Sequence, residues 1–353
     1  MARSALTNSA VRHQVMLERL KSAETREFNK LIPILERQVR ETLARLGDPV
    51  TSLTRARLNG LLRELRAAQA AALGKAQDKL LKRLRNIAAY EANFEAESVN
   101  AHTPKGTSLV AASPEAAWAN ATTVPLSATG DLLEPFVRDM TKREVDTINK
   151  VIMRGYSEGW TNDEITRVLR GTKKLNYKDG LMSSLGKHNA TLVRTSVQHV
   201  SNQAREATWE ENEVDQYRWV STLDGRTTSQ CRSLDGKIFT IGQGPRPPIH
   251  MNCRSTTVAI IPGLENLSDL LTSASQDGQV KGSLTYYEWL KTQSAQFQDT
   301  VLGPTRAKLF RDGGLSAERF SQLQLNSFFE PLSLEEMQKL EPLAFRRAGI
   351  DDD

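Results

Sequence analysis

Apolar residues recur at three- and four-residue steps through most of the first hundred positions, the spacing that lines one face of an α-helix. Residues 11–45 carry Val15, Leu17, Leu20, Phe28, Leu31, Ile32, Leu35, Val39 and Leu43 in that rhythm. Pro33 interrupts it. Proline lacks a backbone donor and its ring strikes the carbonyl four residues back, so a kink or break is predicted there. Gly47, Asp48 and Pro49 end the run, and Thr51 or Ser52 stands where the next helix needs a cap. That helix follows Leu58, Leu61, Leu62, Leu65, Leu73, Leu80, Leu81, Leu84 and Ile87, and the alanine-rich run at 67–72 favours it. Tyr90, Phe94 and Val99 fall near its end. Residues 1–100 therefore read as a helical hairpin or an antiparallel coiled-coil-like basic arm. Its apolar stripe needs a partner helix, either in the same chain or on a second copy in a homo-oligomer.

The pattern changes at 101–130, where Pro104, Gly106, Ser113, Pro114, Thr123 and Pro125 are linker chemistry around a short helix at 116–121 that carries Trp118. A domain boundary is placed here. Residues 131–215 return to the helical period with Leu133, Phe136, Val137, Met140, Val145, Ile148, Val151 and Ile152. Thr161 followed by Glu164 is a capping box, and Gly171 ends the helix it opens. A long helix is predicted over 188–209. In 216–262 the period shortens to two, giving strands at 217–222, 237–241 and 255–261 with Asp224-Gly225 and Asp235-Gly236 as turns. Between them lie a polar run at 227–233 and a stiff loop at 242–248 with two glycines and three prolines. In 263–353 the reading is a mixed stretch at 264–271, a polar loop at 273–282 and a helix from 285 that runs on through Val301 to a stop at Gly303-Pro304. Short helices at 305–310 and 317–325, a helical tail from 332 and a solvated, mobile end at Asp351-Asp352-Asp353 complete it. The fold class is α+β, predominantly α-helical: an N-terminal helical arm, then a helical domain with a small β-sheet module.

At 353 residues the chain can bury two cores or more, and 39% apolar with 25% charged residues suits a soluble protein. No apolar run approaches the roughly 18 residues of a membrane span, so no membrane partner is expected. Residues 1–7 lack the apolar core of a secretion signal, so the chain is expected to stay in a reducing cytoplasm, where two cysteines do not make a disulfide framework. The net charge of +5 is concentrated. Arg55, Arg57, Arg63, Arg66, Lys75, Lys79, Lys82, Arg83 and Arg85 stand against only Glu64 and Asp78 in the segment 55–85. Such a run is either a solvated helix face or a surface for DNA phosphates or an acidic protein ring.

Cys231, His250 and Cys253 offer the one cluster of soft donors. A His-x-x-Cys pair on a tight loop can present two ligands to a tetrahedral zinc ion, with Cys231 as a third. Asp224, Asp235 and His199 are the candidates for a fourth. Two other readings stay open, a disulfide between the cysteines and a pair of buried thiols beside a hydrogen-bonded histidine. On the preceding helix, Arg194 and Gln198 are four residues apart and share a face, the placement of a clamp on the β module. No phosphate-binding glycine loop, nucleophile elbow or paired catalytic carboxylates appear, so no reaction can be named.

The run W-x-S-T-x-D-G-R-T-T-S-x-C-R-x-L-D-G-K at 219–237, followed by P-P-x-H-x-N-C-R-S-T-T at 247–257, resembles the phage Mu F-type minor head proteins, the head morphogenesis family of tailed bacteriophages. The likeness extends to Arg194-Thr195 upstream and to Tyr286-Tyr287-Glu288-Trp289-Leu290 and Leu302-Gly303-Pro304-Thr305-Arg306 downstream, mainly over 194–310. The family ends its motif Cys-Arg-Cys, whereas this chain has Cys253-Arg254-Ser255. The resemblance implies a non-enzymatic minor capsid protein, made in the host cytoplasm and built into the virion head. Its implied partners are the portal protein, other head proteins and double-stranded DNA, with roles in packaging and, for some members, ejection with the genome. The competing expectations are a zinc-dependent hydrolase or nuclease, or a toxin-like enzyme acting after ejection, and a scaffold that leaves before the particle matures.

Overall fold

The computed structural model describes residues 2–46, 54–101, 108–261, 272–276, 278–281 and 283–350. The chain begins with α1 (Ala2–Asn29) and α2 (Leu31–Leu46), which part at Lys30. Pro33 is the cause: in the first turn of α2 its missing donor costs nothing, while its ring bars the carbonyl of Asn29 from continuing the helix. After the turn comes α3 (Arg55–Asn100), 46 residues and so about 69 Å long. Thr54 caps α3 by accepting from the Arg57 amide. Thr51, Ser52 and the Gly47-Asp48-Pro49 stop lie outside the described residues, as do the prolines and glycines of 102–107, Pro262, the mixed stretch 264–271 and the acidic end at 351–353.

The segment expected to link arm and body carries α4 (Pro114–Thr123), capped by Ser113. It packs in one core with α1, α3 and a much longer helix, α7 (Leu181–Glu210). The arm's stripe is thus covered within the chain. Upstream of α7 are α5 (Leu133–Glu158) and α6 (Asn162–Arg170). The latter opens on the Thr161–Glu164 capping box, with both reciprocal bonds formed. A second core joins α2, the first half of α3, α5, α6 and the start of α7. It explains why α7 begins seven residues before the predicted start: Met182 and Leu185 are buried there, although Ser183, Ser184 and Gly186 hide the period in the sequence.

From Thr195 to Trp209 every residue of α7 is buried, so this helix is surrounded, and much of what surrounds it is polar. Ser201 donates to Glu91 Oε2 at 2.6 Å, His199 to the Ala121 carbonyl at 2.9 Å and Asn120 to the Gln203 carbonyl at 3.0 Å. Arg205 Nε donates to Glu95 Oε2 at 2.6 Å, and Trp209 Nε1 to Glu95 Oε1 at 2.8 Å. The inner face of α3 matches it with Gln69, Gln77, Glu91 and Glu95, all buried at helical spacing. Gln69 accepts from Asn149 of α5, and Gln77 donates to the Val137 and Arg138 carbonyls. Hydrogen-bonded polar pairs at fixed levels set the sliding register of long helices in a way that interchangeable leucines do not.

The β module is a three-stranded antiparallel sheet in the order β2-β1-β3, with β1 (Gln216–Val220) central, β2 (Ile238–Thr240) and β3 (Thr256–Ile260). Tyr217 and Trp219 point from β1 into its core. Gly244 is required where the loop closes over β2, because a Cβ there would stand 2.4 Å from both Phe239 Cβ and the Tyr217 hydroxyl. Several elements differ from the reading of the sequence. The polar run at 227–233 forms α8 (Ser229–Leu234), nucleated by Thr228 accepting from the Cys231 amide. The polar loop at 273–282 contains a hairpin, β4 (Thr272–Ser275) and β5 (Gly278–Lys281), set against α1. Its residues bear no apolar alternation that could have announced it. Six short helices follow among the described residues: Tyr286–Lys291, Ala295–Leu302, Pro304–Asp312, Ala317–Gln322, Leu334–Leu340 and Pro342–Arg347. The helix predicted to run from 285 through Val301 is two, because Ser294 caps a fresh start by accepting from Phe297 N. The tail is split too, at Glu341, where Pro342 opens the last helix without a side-chain cap. Tyr286, Tyr287, Trp289, Phe310 and Phe320 form the aromatic core of this region.

Candidate metal-ligand cluster and basic face

Two segments deliver the three soft donors to one place. Cys231 is the third residue of α8, fixed by the Thr228 cap. His250 and Cys253 sit at the ends of a tight turn in which the Cys253 amide donates to the His250 carbonyl at 3.2 Å. Asn252 takes φ 59 in that turn, a conformation asparagine tolerates better than most residues. Helix α7 holds the turn down: Asn252 N donates to Thr195 Oγ1, and Asn252 Nδ2 to Thr191 Oγ1, both at 3.1 Å. One step on, Gln198 Nε2 donates to the Ser255 carbonyl at 2.8 Å.

The cysteines are free and buried, with Sγ atoms 3.7 Å apart. His250 Nε2 lies 3.2 Å from Cys231 Sγ and 3.0 Å from Thr228 Oγ1, and Nδ1 lies 2.9 Å from the Met251 carbonyl oxygen. A carbonyl can only accept, so Nδ1 carries a proton and Nε2 faces the sulfurs. The three donors form the single such group found among the described residues, all within 4.8 Å of one another. The hydrogen bond from Cys231, then His250, holds the Cys253 thiol well below its ordinary range. The same bond with Cys253, then burial, pushes Cys231 well above it. The contact with Cys253 raises His250.

None of the expected fourth ligands joins them. Asp224 is gripped by Arg254, whose two terminal nitrogens lie 2.7 Å from its two oxygens, and against the cost of burial this holds the carboxyl down at about 2. Asp235 accepts from the Ser221 amide at 2.6 Å and the Tyr286 amide at 2.7 Å, while burial pushes it up to about 7. His199 is engaged with Ala121, and desolvation brings it down to about 4. The hydroxyl of Ser255, two residues after Cys253, lies 3.2 Å from Ser221 Oγ.

The clamp differs from the expected pair in one member. Arg194 is exposed. Its place is taken by Arg205, which reaches Thr256 Oγ1 at 2.6 Å and the Thr257 carbonyl at 2.9 Å. On α3, Arg83 pairs with Glu24 and Glu27 and Arg85 with Glu115, so these two are not free cations. Arg55, Arg57, Arg63, Arg66, Lys75, Lys79 and Lys82 are exposed and make no ion pair among the described residues. At roughly 100° per residue, Arg57, Lys75, Lys79 and Lys82 fall within about 60° of one another on the helix.

Residues 146–258 match the family model described as Phage Mu protein F like protein. The matched span runs from the middle of α5 through β3 and holds the whole donor cluster, the clamp and the sheet, while the cationic stretch of α3 lies outside it. The match starts well upstream of Arg194 and stops before the C-terminal aromatic helices. The matched residues make up about a third of the chain. No curated protein and no solved structure matches the chain. No helix among the described residues is long and apolar enough to cross a membrane.

Proposed function

We propose that the protein is a minor component of a tailed-phage head, docked at the portal vertex or on the packaged DNA through the outer face of α3, and able to leave with the genome. The observation that carries this reading is the row of exposed, unpaired cations on a helix about 69 Å long whose other face is locked to α7 by buried polar pairs. A rigid rod with positive charge along one side suits a phosphate backbone or an acidic ring of subunits. The non-enzymatic side of the reading is supported by the burial of Cys231 and Cys253, 2% and 1% exposed, which keeps their sulfurs from any substrate.

Binding of the purified chain to duplex DNA and to isolated portal rings, each measured across a salt series, tests this. Each phosphate neutralised steepens the fall of log K against log salt by about 0.9, so changing Lys75, Lys79 and Lys82 together to Ala should flatten a DNA slope by about 3. Portal binding that depends on the same lysines with a shallow slope places the face on protein instead. Association with neither, or binding indifferent to the triple change, overturns the reading.

A further inference from the structure

We infer that Cys231, His250 and Cys253 bind one zinc ion, as a structural staple joining α8, the His-x-x-Cys turn and the start of β3. The donor geometry is that of a site assembled in advance. Two sulfurs on tetrahedral zinc at about 2.3 Å each stand about 3.8 Å apart, and these stand 3.7 Å apart. Sulfur and imidazole nitrogen on such an ion stand about 3.6 Å apart, and Cys231 Sγ and His250 Nε2 are 3.2 Å apart. An ion needs only a slight opening of that pair.

The surroundings match what a metal-bound imidazole requires. A ligating histidine donates its other ring N–H to a carbonyl, which fixes the tautomer and aims the lone pair. His250 Nδ1 has the Met251 carbonyl for this purpose. Thr228 Oγ1 accepts from the Cys231 amide and lies 3.0 Å from His250 Nε2, so a hydroxyl stands beside the donor set. The fourth position belongs to the Ser255 hydroxyl or to water. Metal entry balances by release of the protons that the two thiols carry, and of the second imidazole proton where His250 is charged; no electrons move. The donor set, two sulfurs and one nitrogen, selects zinc over calcium or magnesium, which take oxygen. Because both sulfurs are buried, and α7 holds the turn while α8 packs on the helices at 286–291 and 317–322, the ion acts on the fold and not on a substrate.

The test uses the full-length chain, purified under reducing conditions, with metal content and free thiols measured on the same sample. About one zinc per chain, lost in Cys231→Ser, Cys253→Ser and His250→Ala, is the expected result. A disulfide between the cysteines in fresh reduced protein, or two free thiols with no metal, overturns it. Should a variant fail to fold, the intact protein still decides: after chelation, added cobalt(II) should give the intense visible bands of a tetrahedral site and a sulfur-to-cobalt charge-transfer band. Featureless spectra of octahedral cobalt overturn the proposal. Ser255→Cys provides a gain-of-ligand check, expected to hold zinc against a chelator concentration that strips the parent protein; no gain means residue 255 does not face the ion. These readouts do not involve DNA or the portal, so they stand or fall apart from the docking reading.

Discussion

Arg194 and Arg205 show what a single residue's place on a helix decides. They are eleven positions apart on α7, about 20° in helical phase, so both point the same way and the amphipathic pattern cannot choose between them. Height along the axis chooses. Arg205 is level with Glu95 of α3 and with the Thr256 and Thr257 end of β3, and Arg194 is level with solvent. Replacing Glu95 by Ala strands that guanidinium, and unfolding in urea should show a loss of about 3 kcal/mol. Arg194→Ala should leave the midpoint unchanged. Asp224→Ala removes both oxygens that hold Arg254 and should cost about 2 kcal/mol, with the m-value preserved. His199 gives a signed pH effect. Its folded value of about 4 lies below the 6.5 of a free histidine. As pH falls from 6.5 to 4 the unfolded chain gains a proton that the folded chain refuses, and stability drops. Folding stability of His199→Gln, followed over the same range, should lack that part of the decline. An imidazole signal titrating near 6.5 would contradict the burial.

At the level of elements, what the sequence made legible were those whose signal is local. The heptad-like leucines of α3, the proline break before α2, the Thr161–Glu164 box and the alternation of β1 and β3 each lie within a few residues of what they cause. The Cys–His cluster was legible for the same reason, since His250 and Cys253 share one turn and only Cys231 comes from elsewhere. The misses are elements defined by partners. Helix α8 is a single turn whose evidence is a threonine cap, and its lid is Leu234 against Trp219 and Cys253 in a core assembled from distant chain. The β4–β5 hairpin rests on α1, more than two hundred residues earlier, and carries no pattern of its own. The charge count of α3 was readable, but its meaning was not. Only with Glu24, Glu27 and Glu115 in place is it seen that Arg83 and Arg85 are spent inside the molecule while the lysines face out.

For the molecule as a whole, the polar lining of α7 has a thermodynamic consequence. Most helical proteins wrap their central helix in aliphatic side chains, and unfolding then exposes apolar surface that raises the heat capacity. Here Gln198, His199, Ser201, Asn202, Arg205 and Thr208 occupy the interior, bonded to groups on neighbouring segments. Exposing them lowers the heat capacity and partly cancels the ordinary rise. Calorimetry should therefore return an increment below the usual ~12–15 cal/mol/K per residue, and a stability curve flatter than its size suggests. A chain with such a centre would change its stability less than usual between cold and warm conditions.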